Sequence, residues 1–149
     1  MNMQKTIFSG LKYKFSTVSC YSALVVDDYG PAKKILGASL ATLPQIGEID
    51  YASSGEEALI KVKSKRYDLV FLDVTMPGLD GFETCERIRE IKGYGMTPII
   101  MVSGNNSPEN SFKGTVSGCT SYVKKPIQHE SFRKLNIKMI NWLEQIKAA

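Results

Sequence analysis

The stretch LVFLDVTMPGLDGFE, residues 69–83, decides the fold. Its apolar run at 69–72 is typical of a central parallel strand that is covered on both faces. The run ends at Asp73, and the Met-Pro-Gly sequence at 76–78 then predicts a loop. Asp80 can cap a helix that follows this loop. The inner face of that helix is predicted to carry Phe82, Cys85, Ile88 and Ile91.

Three other apolar runs also end in polar or charged residues. They are LVVDD at 24–28, IIMVS at 99–103 and YVKKP at 122–126. If all four runs are buried parallel strands, their carboxyl ends meet at one edge of an open α/β sheet, where ligands bind. That edge would gather three carboxylates, a hydroxyl and an ammonium, from Asp27, Asp28, Asp73, Ser103 and Lys125.

The chemistry of this edge follows from its charges. The carboxylates of Asp27, Asp28 and Asp73 would repel one another strongly, and protonation or a bound divalent cation would relieve the repulsion. All-oxygen sites in which several waters remain are those that Mg²⁺ prefers. A magnesium ion beside a lysine suits a phosphoryl group, because the equatorial oxygens of that group carry negative charge. The pattern therefore predicts a phosphoryl-accepting site, with Asp73 as the acceptor.

Strands and helices alternate along the rest of the chain. A strand at 23–26 precedes a helix at 30–43, and Pro31 suits the first turn of that helix. A second strand at 46–52 precedes a helix that Ser54 can cap. The residues predicted to face the core are Ile35, Leu36, Leu40 and Leu43 in the first helix and Ala58, Leu59 and Val62 in the second.

Two helices follow the strand predicted at 98–102. The segment 107–118 begins with a capping serine but has few large apolar residues, and Gly114 interrupts it, so we expect a marginal helix. Conformational switches are expected in such weak elements, since local opening costs least there. The final helix is predicted at 128–147, and apolar residues off its core face can mark a partner surface. Its predicted buried stripe is Phe132, Leu135, Met139, Leu143 and Ile146, and Ile137, Ile140 and Trp142 fall off that stripe.

Four motifs together resemble those of response regulator receiver domains, the chemotaxis-regulator-like family of two-component signalling. They are VVDD (25–28), LVFLDVTMPGLDGFE (69–83), PIIMVSG (98–104) and GCTSYVKKP (118–126), in family-like order and spacing across residues 22–147. Each motif is weak alone, but the set is specific. The resemblance implies a flavodoxin-like α/β fold: a doubly wound, five-stranded parallel sheet of order 2-1-3-4-5 with helices on both faces.

The same resemblance implies a metal-binding and phosphoacceptor role for the acidic residues. Asp73 would be the phosphorylated aspartate. Asp28 would be a direct ligand of Mg²⁺, with Mn²⁺ as a substitute, and Asp27 would act mainly through water. The backbone carbonyl of Thr75 would be a further metal ligand.

Five residues would bind the phosphoryl group, respond to it or tune its hydrolysis in this reading. Lys125 and Ser103 would each contact a phosphoryl oxygen, and Tyr122 would occupy the aromatic switch position. Thr75 and Asn105 match positions that tune the hydrolysis of the phosphoaspartate in the family. Each residue also has a competing interpretation: Asp27 and Asp28 as surface acids, Lys125 as a solvated lysine and Ser103 as a loop cap. For Tyr122 the competing interpretation is simple packing in the core, because aromatic residues are commonly buried.

The function implied is that of a stand-alone response regulator rather than a turnover enzyme. The domain would take its phosphoryl group from a histidine kinase or phosphotransfer protein, and it would catalyse its own phosphorylation and dephosphorylation. The signal would pass to a protein partner through the α4-β5-α5 face, formed by the fourth helix, fifth strand and last helix. The alternatives are an unphosphorylated pseudo-receiver, a fragment of a larger signalling protein and, less compatible with the chain length, a dehalogenase-like phosphatase.

Composition limits the remaining possibilities. At 149 residues the length suits one domain, so we expect no fused output module. No apolar stretch reaches the roughly 18 residues of a spanning helix, and no signal peptide is evident, so we expect a cytoplasmic protein without membrane contact. Cys20, Cys85 and Cys119 lack CxxC spacing and suit reduced, structural thiols. The net charge is +4, but the basic residues are dispersed, which makes nucleic-acid binding a poor prediction.

The segment 1–21 lies outside the resemblance and is predicted to be an extension of a receiver domain at 22–149. Apolar and polar residues alternate at 11–18, which is a strand signature. This segment can pair with a sheet edge, form a homodimer or remain a flexible arm. We favour the first two.

Overall fold

The computed structural model describes residues 20–105 and 107–148. Within them, five strands alternate with five helices, as the sequence predicts. The elements are β1 (Tyr21–Val26), α1 (Gly30–Ala41), β2 (Ile46–Ala52), α2 (Gly55–Ser64), β3 (Leu69–Asp73), α3 (Gly81–Glu90), β4 (Ile99–Ser103), α4 (Pro108–Ser117), β5 (Ser121–Lys124) and α5 (His129–Ala148). The strand signature at 11–18 lies outside the described residues, and β1 begins one residue inside the predicted extension.

The strands form one parallel sheet in the order β2-β1-β3-β4-β5. This is the predicted doubly wound order, and it is confirmed. The registers bring the carboxyl ends of neighbouring strands level: Val26 of β1 aligns with Leu72 of β3, and Asp73 aligns with Val102 of β4. Ser103 in turn aligns with Lys124 of β5. Residues that follow each strand therefore emerge at one edge of the sheet.

Helices cover both faces of the sheet, and each face has its own apolar core. Side chains of β1, β3 and β4 alternate between the two faces, because successive residues of a strand point to opposite sides. One core, with α2 and α3, includes Leu24, Val26, Val70, Leu72, Ala58, Val62, Cys85 and Ile88. The other, with α1 and α5, includes Ala23, Val25, Phe71, Ile100, Leu36, Leu40, Phe132 and Ile140.

Short polar side chains begin the helices that follow β2, β3 and β4. The hydroxyl of Ser54 accepts a hydrogen bond from the backbone N–H of Glu57 at 3.0 Å, and the carboxylate of Asp80 accepts one from that of Glu83 at 2.8 Å. Ser107 caps α4 through the N–H of Asn110 at 3.2 Å. Such caps satisfy backbone donors that lack partners within the helix, so they fix where each helix begins.

The predicted buried stripe of α5 is wrong at two positions. Ile140 is only 2% exposed, whereas Ile146 is 45% exposed. The buried residues of α5 are Phe132, Asn136, Ile140 and Leu143, which follow the i+3 and i+4 spacing of one helix face. The row runs through a buried asparagine, which a search for apolar residues passes over. Ile137 is exposed as predicted, and Trp142 packs partly against the core.

Ile35 is a second correction. It is 64% exposed, although it was predicted to face the core with its neighbours in α1. Leu36 and Leu40 form the buried row of that helix, and Ile35 lies about 100° around the helix from Leu36. Its side chain instead lines a shallow cavity between α1 and the start of α5, beside Ile127 and His129.

Two predictions from composition concern membranes and thiols. Among the helices that the structure describes, none combines the length and the apolar character that a membrane-spanning segment needs. Cys85 is buried in the core and Cys119 is half-buried beside it, which agrees with a structural role for these two.

Candidate phosphoacceptor site

The predicted acidic residues meet at the carboxyl edge of the sheet. Asp27 and Asp28 directly follow β1, and Asp73 is the last residue of β3. Carboxylate oxygens of all three lie within 4.8 Å of one another. Asp27 is 2% exposed and Asp73 is 8% exposed, while Asp28 faces solvent. The cluster therefore has two buried carboxylates and one that opens to water.

Lys125, which follows β5, reaches past the end of β4 into this cluster. Its ammonium donates a hydrogen bond to Asp27 at 2.6 Å and lies 3.4 Å from a carboxylate oxygen of Asp73. Its backbone N–H donates to the carbonyl of Ser103 at 2.7 Å, which ties the end of β5 to the end of β4. The family resemblance implies that Lys125 contacts a phosphoryl oxygen. In the unmodified protein its ammonium binds the carboxylates of Asp27 and Asp73.

Burial and charge move the pKa values of the cluster. Burial, and then the negative charge of Asp27, raise the pKa of Asp73 to about 6, against the opposing effect of Lys125. Burial disfavours the charged form of Lys125, but the hydrogen bond to Asp27 and the charge of Asp73 outweigh it, so the pKa of Lys125 is raised. The site thus holds a carboxylate that is not fully compensated by its neighbours.

The donor set fits a divalent cation. Three carboxylates face one ammonium, which leaves two negative charges without a counter-charge in the described part of the chain. All the donors are oxygens, and the exposed position of Asp28 leaves a path for hydrated ions. Thr75 is exposed next to the cluster, and the role of its carbonyl stays a prediction.

A chain of hydrogen bonds leads away from the cluster through Ser103. This residue is 1% exposed, and its hydroxyl accepts a hydrogen bond from the backbone N–H of Asn105 at 3.1 Å. The carbonyl of Asn105 accepts one from the hydroxyl of Tyr122, and its side-chain oxygen accepts one from the N–H of Ser107 at 3.0 Å. Asn105 therefore connects β4 both to Tyr122 and to the first turn of α4.

Gly81 is a site residue that sequence reasoning missed. A Cβ atom at this position would lie 2.3 Å from the carbonyl oxygen of Asp73 and 2.8 Å from the Cα of Val74. Only glycine lets the first turn of α3 approach the strand that carries Asp73 so closely. The sequence signal for this close approach is the glycine that directly follows the capping aspartate at the start of the helix.

Comparison with known proteins places this geometry in a family. The response regulator receiver domain family matches residues 23–136. Over 103 residues the chain is 40% identical to the transcriptional regulatory protein ResD of Bacillus subtilis, a match covering 69% of this chain and 41% of that protein. Over 134 residues it is 31% identical to a protein-glutamate methylesterase/protein-glutamine glutaminase of Myxococcus xanthus, covering 90% of this chain and 38% of that protein.

The chain thus spans less than half the length of these curated relatives. Among solved structures, the chemotaxis protein CheY4 of Vibrio cholerae superposes with a TM-score of 0.76 at 30% sequence identity. That match covers 81% of this chain and 99% of CheY4. The family match covers most of the chain and includes every residue of the acidic cluster. The chain belongs to the response regulator receiver domain family of two-component signalling.

Proposed function

We propose that the protein acts as a stand-alone response regulator that accepts a phosphoryl group on Asp73. The donor is a phosphohistidine on a histidine kinase or phosphotransfer protein, and the reaction depends on Mg²⁺, for which Mn²⁺ can substitute. The observation that carries this proposal is the buried carboxylate of Asp73, held among two further acids and one lysine. The family to which the chain belongs is one of signalling domains, and it supports the same role.

In the proposed reaction a carboxylate oxygen of Asp73 forms a bond to phosphorus as the phosphorus–nitrogen bond of the donor breaks. The electron pair of that bond returns to the imidazole, which takes a proton from water and leaves as neutral histidine. Bound Mg²⁺ would be held by Asp28, Asp73 and the carbonyl of Thr75, with Asp27 acting through water, and it supplies charge neutralisation to the phosphoryl oxygens. Lys125 would turn from Asp27 toward the same oxygens.

Phosphorylation would then alter the chain of hydrogen bonds that begins at Ser103. The oxygen of the Ser103 hydroxyl accepts from the N–H of Asn105, and its O–H would donate to a phosphoryl oxygen. Movement of Ser103 would shift Asn105 and release or redirect Tyr122. Tyr122 is half-buried and packs beside Gly114 of α4, so its rotation would change the packing of that helix.

The proposed output surface is formed by α4, β5 and α5. Two large apolar side chains are exposed on the flank of α4 that faces α3: Phe112 is 69% exposed and Val116 is 64% exposed. Exposed apolar side chains on an element that responds to a switch favour docking of a protein partner or of a second copy of the chain. Thr75 and Asn105 are both exposed beside the site and would set how readily water reaches the phosphoaspartate.

Phosphorylation of the full chain by acetyl phosphate tests the proposal. With Mg²⁺, peptide mapping should find one phosphoryl group on Asp73. Asp73→Asn should abolish it, and removal of Mg²⁺ by chelation should do the same. Asp80→Asn is the matched control, because asparagine caps a helix as well as aspartate does and Asp80 lies outside the cluster. Unchanged labelling in Asp73→Asn would disprove the proposal.

A further inference from the structure

Arg89 donates its hydrogen bonds to backbone carbonyls rather than to an acidic side chain. It lies in the last turn of α3 and is partly buried. Its Nη1 donates to the carbonyls of Tyr94 at 2.7 Å and Thr97 at 2.6 Å, and its Nε donates to that of Gly118 at 2.9 Å. Within the described residues Arg89 forms no salt bridge. A charged donor in a partly buried site makes stronger hydrogen bonds than a neutral one.

The bond to Gly118 holds the C-terminal end of α4. Gly118 is the residue that ends this helix, with a left-handed backbone at φ 91°. A Cβ atom there would lie 3.3 Å from Cγ of Arg89, so glycine both permits the backbone angle and lets the arginine stem pack closely. Because the same guanidinium also binds the loop between α3 and β4, the end of α4 is fixed to two other parts of the fold.

The opposite end of α4 is held in a different way. The N–H of Asn110 donates to the hydroxyl of Ser107, and the N–H of Ser107 donates to the side-chain oxygen of Asn105. The side-chain amide of Asn110 also donates to the carbonyl of Asn105 at 3.4 Å. These bonds belong to the loop that leads back to Ser103, and Asn105 is exposed. The N-terminal end is therefore coupled to the phosphoacceptor site by neutral bonds near solvent, while the C-terminal end is coupled to α3 by a charged, partly buried one.

We propose that Arg89 is a positioning residue that makes the end of α4 at Gly118 a fixed pivot. When phosphorylation moves Ser103 and Asn105, α4 turns about that pivot, and its displacement is largest in the first turns and smallest at Thr115–Gly118. This inference rests on the proposed function. It implies that Phe112, which lies in the first half of the helix, carries the change in the surface that a partner meets.

Amide exchange in the unmodified full chain tests the clamp without any ligand. In Arg89→Lys, a single ammonium cannot bond all three carbonyls. Exchange should therefore speed up at least tenfold at the N–H of Cys119, which bonds to Gly114, and less than twofold at that of Ser111, which bonds to Ser107. Arg87→Lys, an exposed change on the same helix, should alter neither. Equal acceleration at both ends of α4, or none at Cys119, would overturn the clamp.

The pivot itself is tested in the wild-type chain, which avoids any loss of folding in a variant. With Mg²⁺ and beryllium fluoride as the phosphoryl mimic, chemical-shift changes should be several-fold larger at Asn110 to Phe112 than at Thr115 to Cys119. In Arg89→Lys the chemical-shift changes at the two ends of α4 should become similar in size, while binding of the mimic is retained. Equal changes in the wild type would overturn the pivot. No response anywhere would instead contradict the proposed function, and the exchange experiment would still decide the clamp.

Discussion

Two acids of the sheet, Asp50 of β2 and Asp73 of β3, each lie beside a lysine, yet their pKa values are shifted in opposite directions. The hydroxyl of Tyr67 donates to Asp50 at 2.6 Å, and the ammonium of Lys65 lies 3.0 Å from it. The hydroxyl first, and the lysine second, lower the pKa of Asp50. At the carboxyl end, burial and the charge of Asp27 raise the pKa of Asp73.

The difference shows that a neighbouring lysine does not decide how an acid behaves. Asp50 is partly exposed, accepts a hydrogen bond from the hydroxyl of Tyr67 and lies beside Lys65, so its charge is satisfied although Glu48 pairs with the same lysine. Asp73 is buried beside a second buried acid, Asp27, and the two share Lys125. An acid that is satisfied in the unmodified protein stabilises the fold. An acid that is not satisfied is available to bind a cation or a phosphoryl group, and the predictions below test that contrast.

The largest expected effect is on Mg²⁺ affinity as a function of pH. Protons compete with the cation for Asp73, whose pKa is about 6 in the metal-free chain. Affinity should be constant well above that pH and should fall about tenfold for each pH unit below it. Calorimetric titration between pH 8 and roughly pH 5 measures this. An affinity that is independent of pH through this window would mean that Asp73 does not bind the ion.

The second effect is on the stability of the metal-free chain. The folded pKa of Asp73, about 6, exceeds its ordinary value of 3.8, so the folded state binds this proton more tightly. The resulting stabilisation of the folded state is complete below pH 3.8 and is lost as the pH rises through about 6. The loss in the free energy of unfolding should be up to about 3 kcal/mol. Urea titrations of the wild type and Asp73→Asn should differ by this pH-dependent amount, and parallel curves would contradict the prediction.

The third prediction compares substitutions of the two lysines, Lys125 and Lys65. Lys125→Met removes the opposing charge from Asp73 and should raise the pKa of that residue further. Lys65→Met should leave Asp73 unchanged and should raise the pKa of Asp50 only part of the way to its ordinary value, since Tyr67 remains bonded. Carboxyl carbon NMR of both variants measures these values. An unchanged Asp73 in Lys125→Met would show that the lysine does not act on the acceptor.

The smallest effect is at Tyr67. Tyr67→Phe removes the principal hydrogen bond of Asp50 and should cost about 1 kcal/mol of unfolding free energy. Binding of Mg²⁺ should be unaffected, because this residue lies at the opposite edge of the sheet. Thermal unfolding and a magnesium titration measure the two quantities. A weaker magnesium affinity in this variant would mean that the hydrogen bonds around Asp50 influence the phosphoacceptor site.

Sequence reasoning reached the acidic cluster because it depends on a simple geometric rule. Residues that follow parallel strands emerge at one edge, so Asp27, Asp73 and Lys125 could be brought together from motifs far apart in the chain. The rule gives the edge at which a side chain emerges but not its partner. The bond from Lys125 to Asp27 and the link through Asn105 to Tyr122 needed coordinates for that reason.

The wrong predictions of which helix residues are buried have a related cause. Apolar residues were assigned to the core from helical spacing, but spacing alone leaves the rotation of a helix uncertain by one residue. Ile35 is exposed and Ile140 is buried because the buried rows pass through Leu36 and through the polar Asn136. The network of Tyr67, Lys65 and Asp50 has no sequence signal, because Asp50 lies in β2 while its two partners follow α2, and only the fold brings them together.

Carboxyl carbon NMR titration of Asp73 and Asp50 in the same wild-type sample tests the central claim most directly. Without Mg²⁺, Asp73 should titrate near pH 6 and Asp50 below its ordinary value. With Mg²⁺, the midpoint of Asp73 should fall markedly while that of Asp50 stays where it was. An Asp73 that titrates near 3.8 without the ion, or whose midpoint ignores it, would contradict the account.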